Sequence, residues 1–510
     1  MSMTGPDIVR ALYKSIATCS DHHSEDVITQ LHIPTSVDDA IIRAAEDNMV
    51  VIITGNPGDG KTHLVRKLKE HFPNTIKKVG NIQQDANEIS DKEILNAING
   101  AVDNKKGLVI CINEGILLEI CEKHRARHSW CEKLADNLLN PYTYDGESKS
   151  NHPRFAVFDL ALRNNLGDEV VRASIAKIIS LAEVSKKDCR GILPNIKRLK
   201  QPIVQDRLVN LLGCVAKTGF HATMRDVLGF LSFIVCAGED TNKDNIATNY
   251  YQNVFEGGQG PLFDQVRLFD PIRHSTPFLD DKLWMAQDDP AEWQIQDESE
   301  YRQPEDITSF QNRKRRAFFE HKAGDTIIRV DRSRLDQEFQ RLLNSELVPE
   351  QTAVRLLNNF FKTGNSSSNL ILWVNHQYSI RPVRYLVSQQ TVRATDLSVK
   401  PPRLPGYLAK AFPDFLPDHA ILHHREMPVS SGLIFDRRFL KMLLDGDRST
   451  GIGTRNWEAL TRIASFYDVL ATKAEQQKVG NILRLDTQQE VHVGVDIINN
   501  TYFIPGGDIS

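Results

Sequence analysis

Residues 50–63 read VVIITGNPGDGKTH. The apolar, β-branched run at its start marks a strand buried on both faces. It ends in a loop with three glycines, followed by a lysine and a threonine. Gly55–Thr62 fits G-x-x-x-x-G-K-[ST], a pattern whose main-chain amides cradle phosphates. Gly55, Gly58 and Gly60 let the backbone close on phosphate oxygens with successive N–H groups turned inward. The helix expected next, LVRKLKEHF, presents its positive end to the same anion. Lys61 would set a cation on the β- and γ-phosphates, and the Thr62 hydroxyl would join a Mg²⁺ shell. Asn56, Pro57, Asp59 and His63 complete the expected nucleotide-contacting loop, Pro57 by stiffening the turn. A glycine-rich connector is the plainer alternative, but strand before and helix after are the context the motif requires.

Hydrolysis needs a second polar strand end, and LVICINEG (108–115) offers one. Glu114 would be the general base for the attacking water, and Asn113 could hydrogen-bond a metal-bound water without adding charge. The alternative is a strand ending in an ordinary polar turn. RFAVFDLALRNN (154–165) is a further polar strand end. Asp159, Asn164 and Asn165 are eligible to sense the γ-phosphate. Arg163 could serve its own site or reach a neighbouring subunit's, where a guanidinium stabilises charge on the transferring phosphoryl group. It could equally be a salt-bridged surface residue.

Strands alternating with helices point to an α/β core with a parallel sheet. TIKKVGNI (75–82) reads as a weaker strand, DKEILNAINGAV (91–102) as a helix, and ILLEICEKHRARHSWCEKLADNLL as one long helix. The pattern divides the chain into an N-terminal helical segment (1–45), the core (46–168), a helical lid (169–240), an irregular linker region (241–310) and a C-terminal mixed α+β domain (311–510). The 510 residues carry a net charge of −4 and seven scattered cysteines. Size implies several domains. The charge excludes a uniformly basic protein, and the cysteines fit a reducing interior. No apolar run would span a bilayer, and MSMTGPDIVRALYKS lacks the apolar core of a signal peptide. A cytoplasmic protein without membrane association is expected.

Gly55–Thr62, Asn113-Glu114, a polar fourth strand and a helical lid together resemble the AAA+-type P-loop ATPases. That resemblance implies ATP and Mg²⁺ as cofactors, a lid that closes as nucleotide changes, and assembly into a homo-oligomer. In HATMRDVLGFLSF (221–233), Arg225 matches the family's lid arginine, which reaches back to the nucleotide. Asn113, where the family has aspartate, departs from the pattern. More narrowly, CINEGIL, VFDLALRNNL, TMRDVLGFLSF, LFDPIRHSTPFLD and KRRAFFE resemble the ATPases of bacterial anti-phage systems, particularly the DptF-like component of phosphorothioation-dependent DNA restriction. This implies antiviral defence beside nuclease or helicase subunits, with DNA as a further partner. A nucleotide-gated scaffold with little turnover is the rival from another class. A small-molecule kinase fits less well, since no acceptor pocket is evident.

Two further clusters invite chemistry. CEKHRARHSWC (121–131) places Cys121, His124, His128 and Cys131 on one helical stripe. Four zinc ligands rarely come from one straight helix, so a buried or intersubunit face is the better reading. NRKRRAFFEH (312–321) sets Arg313, Lys314, Arg315 and Arg316 beside Phe318 and Phe319. This mixture suits a nucleic-acid backbone and equally an anchored helix with a solvated basic face. NIKRLKQ (195–201) is a weaker basic cluster.

Overall fold

The computed structural model describes residues 5–13, 31–61, 63–65, 68, 90–144, 154–183, 190–238, 248–295, 303–328, 334–361, 366–376, 385–448, 457–471, 479–484, 490–496 and 501–503. Thr62 and the strand expected at 75–82 lie outside them. The chain has a mixed α/β fold in two compact units. One comprises Met1–Pro141, Lys149–Val330 and Leu404–Leu416; the other comprises Tyr142–Ser148, Asp331–Arg403 and Pro417–Ser510.

In the first unit, α1 (Gly5–Tyr13) and α2 (Ser36–Glu46) precede β1 (Val50–Thr54). All five β1 residues are buried, as a central parallel strand requires. Next come α3 (Asp91–Asp103), β2 (Leu108–Cys111), α4 (Glu114–His124), α5 (Ser129–Leu139) and β3 (Phe155–Asp159). The sheet order is β2-β1-β3, all parallel, with Ile53 opposite Cys111 and Thr54 opposite Asp159. The polar ends of both outer strands therefore flank the exit of β1. Ser90 and Glu93 cap α3 reciprocally.

The helices α6 (Asp168–Glu183), α7 (Leu193–Leu199), α8 (Pro202–Lys217) and α9 (Met224–Cys236) follow. They do not form a separate lid core. Their apolar faces share one cluster with Ile8, Val9 and Leu12 of α1. The expected linker is also revised. Its described part folds as α10 (Pro261–Arg267), α11 (Pro277–Met285) and short turns, and it buries Tyr250, Phe255, Phe263, Phe269 and Trp293 in that cluster. Gly and Pro punctuation read as linker, while aromatic anchors between the punctuation marks hold the segment down. Likewise α12 (Ile307–Glu320) belongs to this unit, so the division falls after Val330 rather than after residue 310.

The second unit has α13 (Arg334–Leu343) and α14 (Pro349–Phe360), then β4 (Asn369–His376), β5 (Tyr385–Arg393), β6 (Leu397–Lys400), β7 (His419–His424) and β8 (Leu433–Asp436). After α15 (Arg437–Arg448) and α16 (Trp457–Ala471) come β9 (Val479–Arg484), β10 (Glu490–Asp496) and β11 (Thr501–Phe503). They form antiparallel sheets of order β11-β10-β9-β5-β4 and β6-β7-β8. Phe339, Phe360, Phe435, Phe439 and Tyr467 anchor its core.

Candidate functional site

The loop after β1 runs through three positive-φ glycines. Gly55, Gly58 and Gly60 take φ of +139°, +95° and +90°, where a side chain is strained. Two of them also permit close approach. A Cβ on Gly55 would lie 3.0 Å from the Cβ of Leu160, and one on Gly58 would lie 3.4 Å from the Thr223 side chain. The loop is thus pressed between the turn after β3 and the start of α9.

Asp59, which the sequence left without a distinct role, fastens this loop. Its side chain is fully buried, Oδ2 accepts the N–H of Asn56 at 2.9 Å, and Oδ1 faces His221 Nε2 at 3.7 Å. Pairing with the Asp59 carboxylate holds His221 above the usual histidine value, against the opposing effect of burial. Arg163 answers the question its position raised. It is buried in its own chain, donating from Nη2 to the Asp59 carbonyl at 2.6 Å and from Nε to Asn165 Oδ1 at 2.8 Å. Burial lowers its pKa, and Asp59, Asp38 and Glu169 oppose that. Asn165 in turn donates to the Ala222 carbonyl at 2.8 Å. Strand end, loop and the start of α9 are tied by one polar chain. Asn164 instead accepts the Leu166 N–H. Lys61 Nζ donates to the Gly55 and Asn56 carbonyls at 2.5 and 3.1 Å.

A cavity of about 240 Å³ opens beside the loop. Asn56, Pro57, Gly58, Asp59, Gly60, Lys61, His63, Asn113, Arg163 and Arg225 line its polar side. Arg225 is exposed at the second position of α9, whose start is set by the reciprocal Thr223–Asp226 cap. Leu12, Leu31, Ile33, Met224 and Leu228 form an apolar side, beside the His32–Asp38 pair at 2.7 Å. Burial raises the Asp38 pKa, but its bonds to His32 and Thr35 outweigh that and lower it. This apolar half escaped sequence reasoning. Its residues come from three distant segments and carry no local motif.

The acidic end of the site differs from the expectation in one respect. Asn113 lines the cavity, whereas Glu114 begins α4 beside it. Glu114 is nonetheless electrostatically coupled to Asp159. Burial first, then the charges of Glu114 and Asp59, push Asp159 up to about 6. Asp159 also accepts the Ala161 N–H at 2.9 Å, capping the turn that abuts Gly55.

The other clusters are structural. The expected long helix breaks between α4 and α5. Cys121 and Cys131 are buried, with each thiol's pKa raised by burial. His128 stacks on Trp130, and the His124 and His128 rings stand 6.4 Å apart. Among the described residues no group of three or more His, Cys, Asp or Glu could hold a metal ion.

The basic run of α12 is not a DNA surface. Arg313 pairs with Asp288, Lys314 with Asp280, Arg315 with Asp270 and Arg316 with Glu320, each at 2.7 Å, and all four cations are buried. In the 195–201 cluster, Arg198 pairs with Glu320 at 3.3 Å and Lys200 with Glu183 at 2.5 Å. Among the described residues no helix is long and apolar enough to cross a membrane. Comparison with family models, curated proteins and solved structures finds no match for this chain.

Proposed function

We propose that the chain is a P-loop ATPase of AAA+-like type, binding ATP with Mg²⁺ at the Gly55–Gly60 loop and hydrolysing it. The observation that carries this is the loop itself: three positive-φ glycines at the end of a buried central strand, with Lys61 at its close, beside a cavity. The loop amides and Lys61 would hold the β- and γ-phosphates, Arg225 would add charge, and the Leu31–Ile33 and Leu228 side suits a nucleobase. Magnesium takes most of its ligands from phosphate and water, so few protein oxygens are needed. Asn113 and Asp159 stand at the strand ends, and Thr62 follows from the sequence pattern. Magnesium held there would supply positive charge against the phosphate charge that develops during transfer. Glu114 would take the proton of the attacking water.

A second reading, a nucleotide-gated scaffold with little turnover, is favoured by the cavity-lining Asn113, which stands where the resembled family has aspartate. The resemblance in CINEGIL, VFDLALRNNL and TMRDVLGFLSF supports placing either activity in a bacterial anti-phage restriction complex. The partners would be nuclease or helicase subunits and DNA.

The test combines ATP binding with phosphate release, with and without duplex DNA. Wild type should bind and hydrolyse, Lys61→Ala should lose binding, and Glu114→Gln should bind without turnover. Unchanged turnover in Glu114→Gln removes Glu114 from the mechanism. Binding with negligible wild-type turnover selects the scaffold. No affinity of the wild type for MgATP defeats both readings.

A further inference from the structure

α11 is apolar on two faces. Leu279 and Leu283 are buried one turn apart, which docks the helix on the core. On the outward side Phe278 is 90% exposed and Met285 is 55% exposed. They stand seven residues apart, two turns along one stripe. Trp284 borders that stripe and packs on Phe310 of α12, ring centroids 5.2 Å apart. Ile307, three residues before Phe310 and 64% exposed, extends the apolar surface. A helix apolar on both sides is one that a further element covers.

The charge around this surface says what kind. Asp281 lies within the stripe, and Asp289, Glu305 and Asp306 are exposed around it. Among the described residues no ion pair is recorded for any of these four. The nearby bases are largely committed: Lys282 pairs with Glu292, and Lys314 is buried against Asp280. An apolar stripe with an acidic rim repels a phosphate backbone, an anionic lipid surface and an identical acidic copy of itself.

We propose that this face docks a partner protein through an amphipathic helix that sets leucine-like residues on Phe278 and Met285 and lysine or arginine on the acidic rim. The proposal is independent of ATP chemistry. The full-length chain is titrated against two fluorescent amphipathic helical peptides, one of leucine and lysine, the other of leucine and glutamate. The lysine peptide should bind, weaken with added salt, and weaken at least about tenfold with Phe278→Asp or Met285→Asp, as for a central apolar anchor. Both positions are exposed, so the thermal unfolding of these variants should match wild type. Equal binding of the two peptides, undiminished binding by the variants, or no wild-type binding overturns the proposal. In the host cell, benzoylphenylalanine in place of Phe278 should cross-link to a basic, helically patterned segment of another protein. Cross-linking to this same chain, to nucleic acid or to lipid overturns it.

Discussion

Replacing Arg163 with alanine separates a residue that braces its own loop from one that serves a neighbour. Two hydrogen bonds from a charged donor disappear, to the Asp59 carbonyl at 2.6 Å and to Asn165 Oδ1 at 2.8 Å. Each is worth about 1.5–3 kcal/mol. Against this stands the cost of burying the guanidinium, which is what lowers its pKa and is recovered when the charge is deleted. A net loss of about 2–4 kcal/mol follows. At roughly 2 °C per kcal/mol for a unit of this size, nucleotide-free unfolding should fall by about 4–8 °C. Arg163→Lys recovers only part, because one ammonium cannot reproduce a planar fork serving two acceptors. Thermal unfolding gives the stability, and phosphate release from mixed variants gives the direction of action. Arg163→Ala and Lys61→Ala chains should be inactive separately and inactive together, since each lacks part of its own site. If mixing them restores turnover, Arg163 acts across a subunit boundary and the bracing argument fails.

Four further outcomes follow from single observations. Gly55→Ala forces a side chain into φ +139° against Leu160, and should cost about 1–3 kcal/mol and nucleotide affinity. Gly213→Ala, in the middle of α8 with nothing within 4 Å of the new methyl, should raise stability by about 0.5–1 kcal/mol; paired melts that shift alike would refute the distinction. His221 is raised by Asp59, so its pairing stabilises fully below the unfolded value of about 6.5 and is lost as pH rises through the higher folded value. The unfolding difference between wild type and His221→Ala should therefore shrink with increasing pH, and a constant difference would mean the imidazolium is not the stabilising form. Arg315→Met strands Asp270 and should cost about 3–5 kcal/mol in a denaturant titration. A stable variant with weakened DNA binding would return α12 to the surface.

What was legible in the sequence was local. The strand and glycine loop could be read because burial on both faces, glycine spacing and the following lysine all fall within fourteen consecutive residues, 50–63. The mesh holding the loop was not legible. Asp59 and Arg163 lie 104 positions apart, and Asn165 and Ala222 lie 57 apart. Leu12, Leu31 and Leu228 meet at the cavity from equally remote segments. The run from Arg313 to Arg316 misled for a related reason. A charge run has no fixed meaning until its counterions are found, and these lie at Asp270, Asp280, Asp288 and Glu320. Once those pairs form, the cations no longer contribute to the surface, while Asp281, Asp289, Glu305 and Asp306 remain exposed on it. The most basic segment of the sequence therefore sits beneath an acidic surface. The sign of a surface must be computed after folding has cancelled the buried pairs, and here that cancellation turns an apparent DNA contact into a face suited to a basic protein.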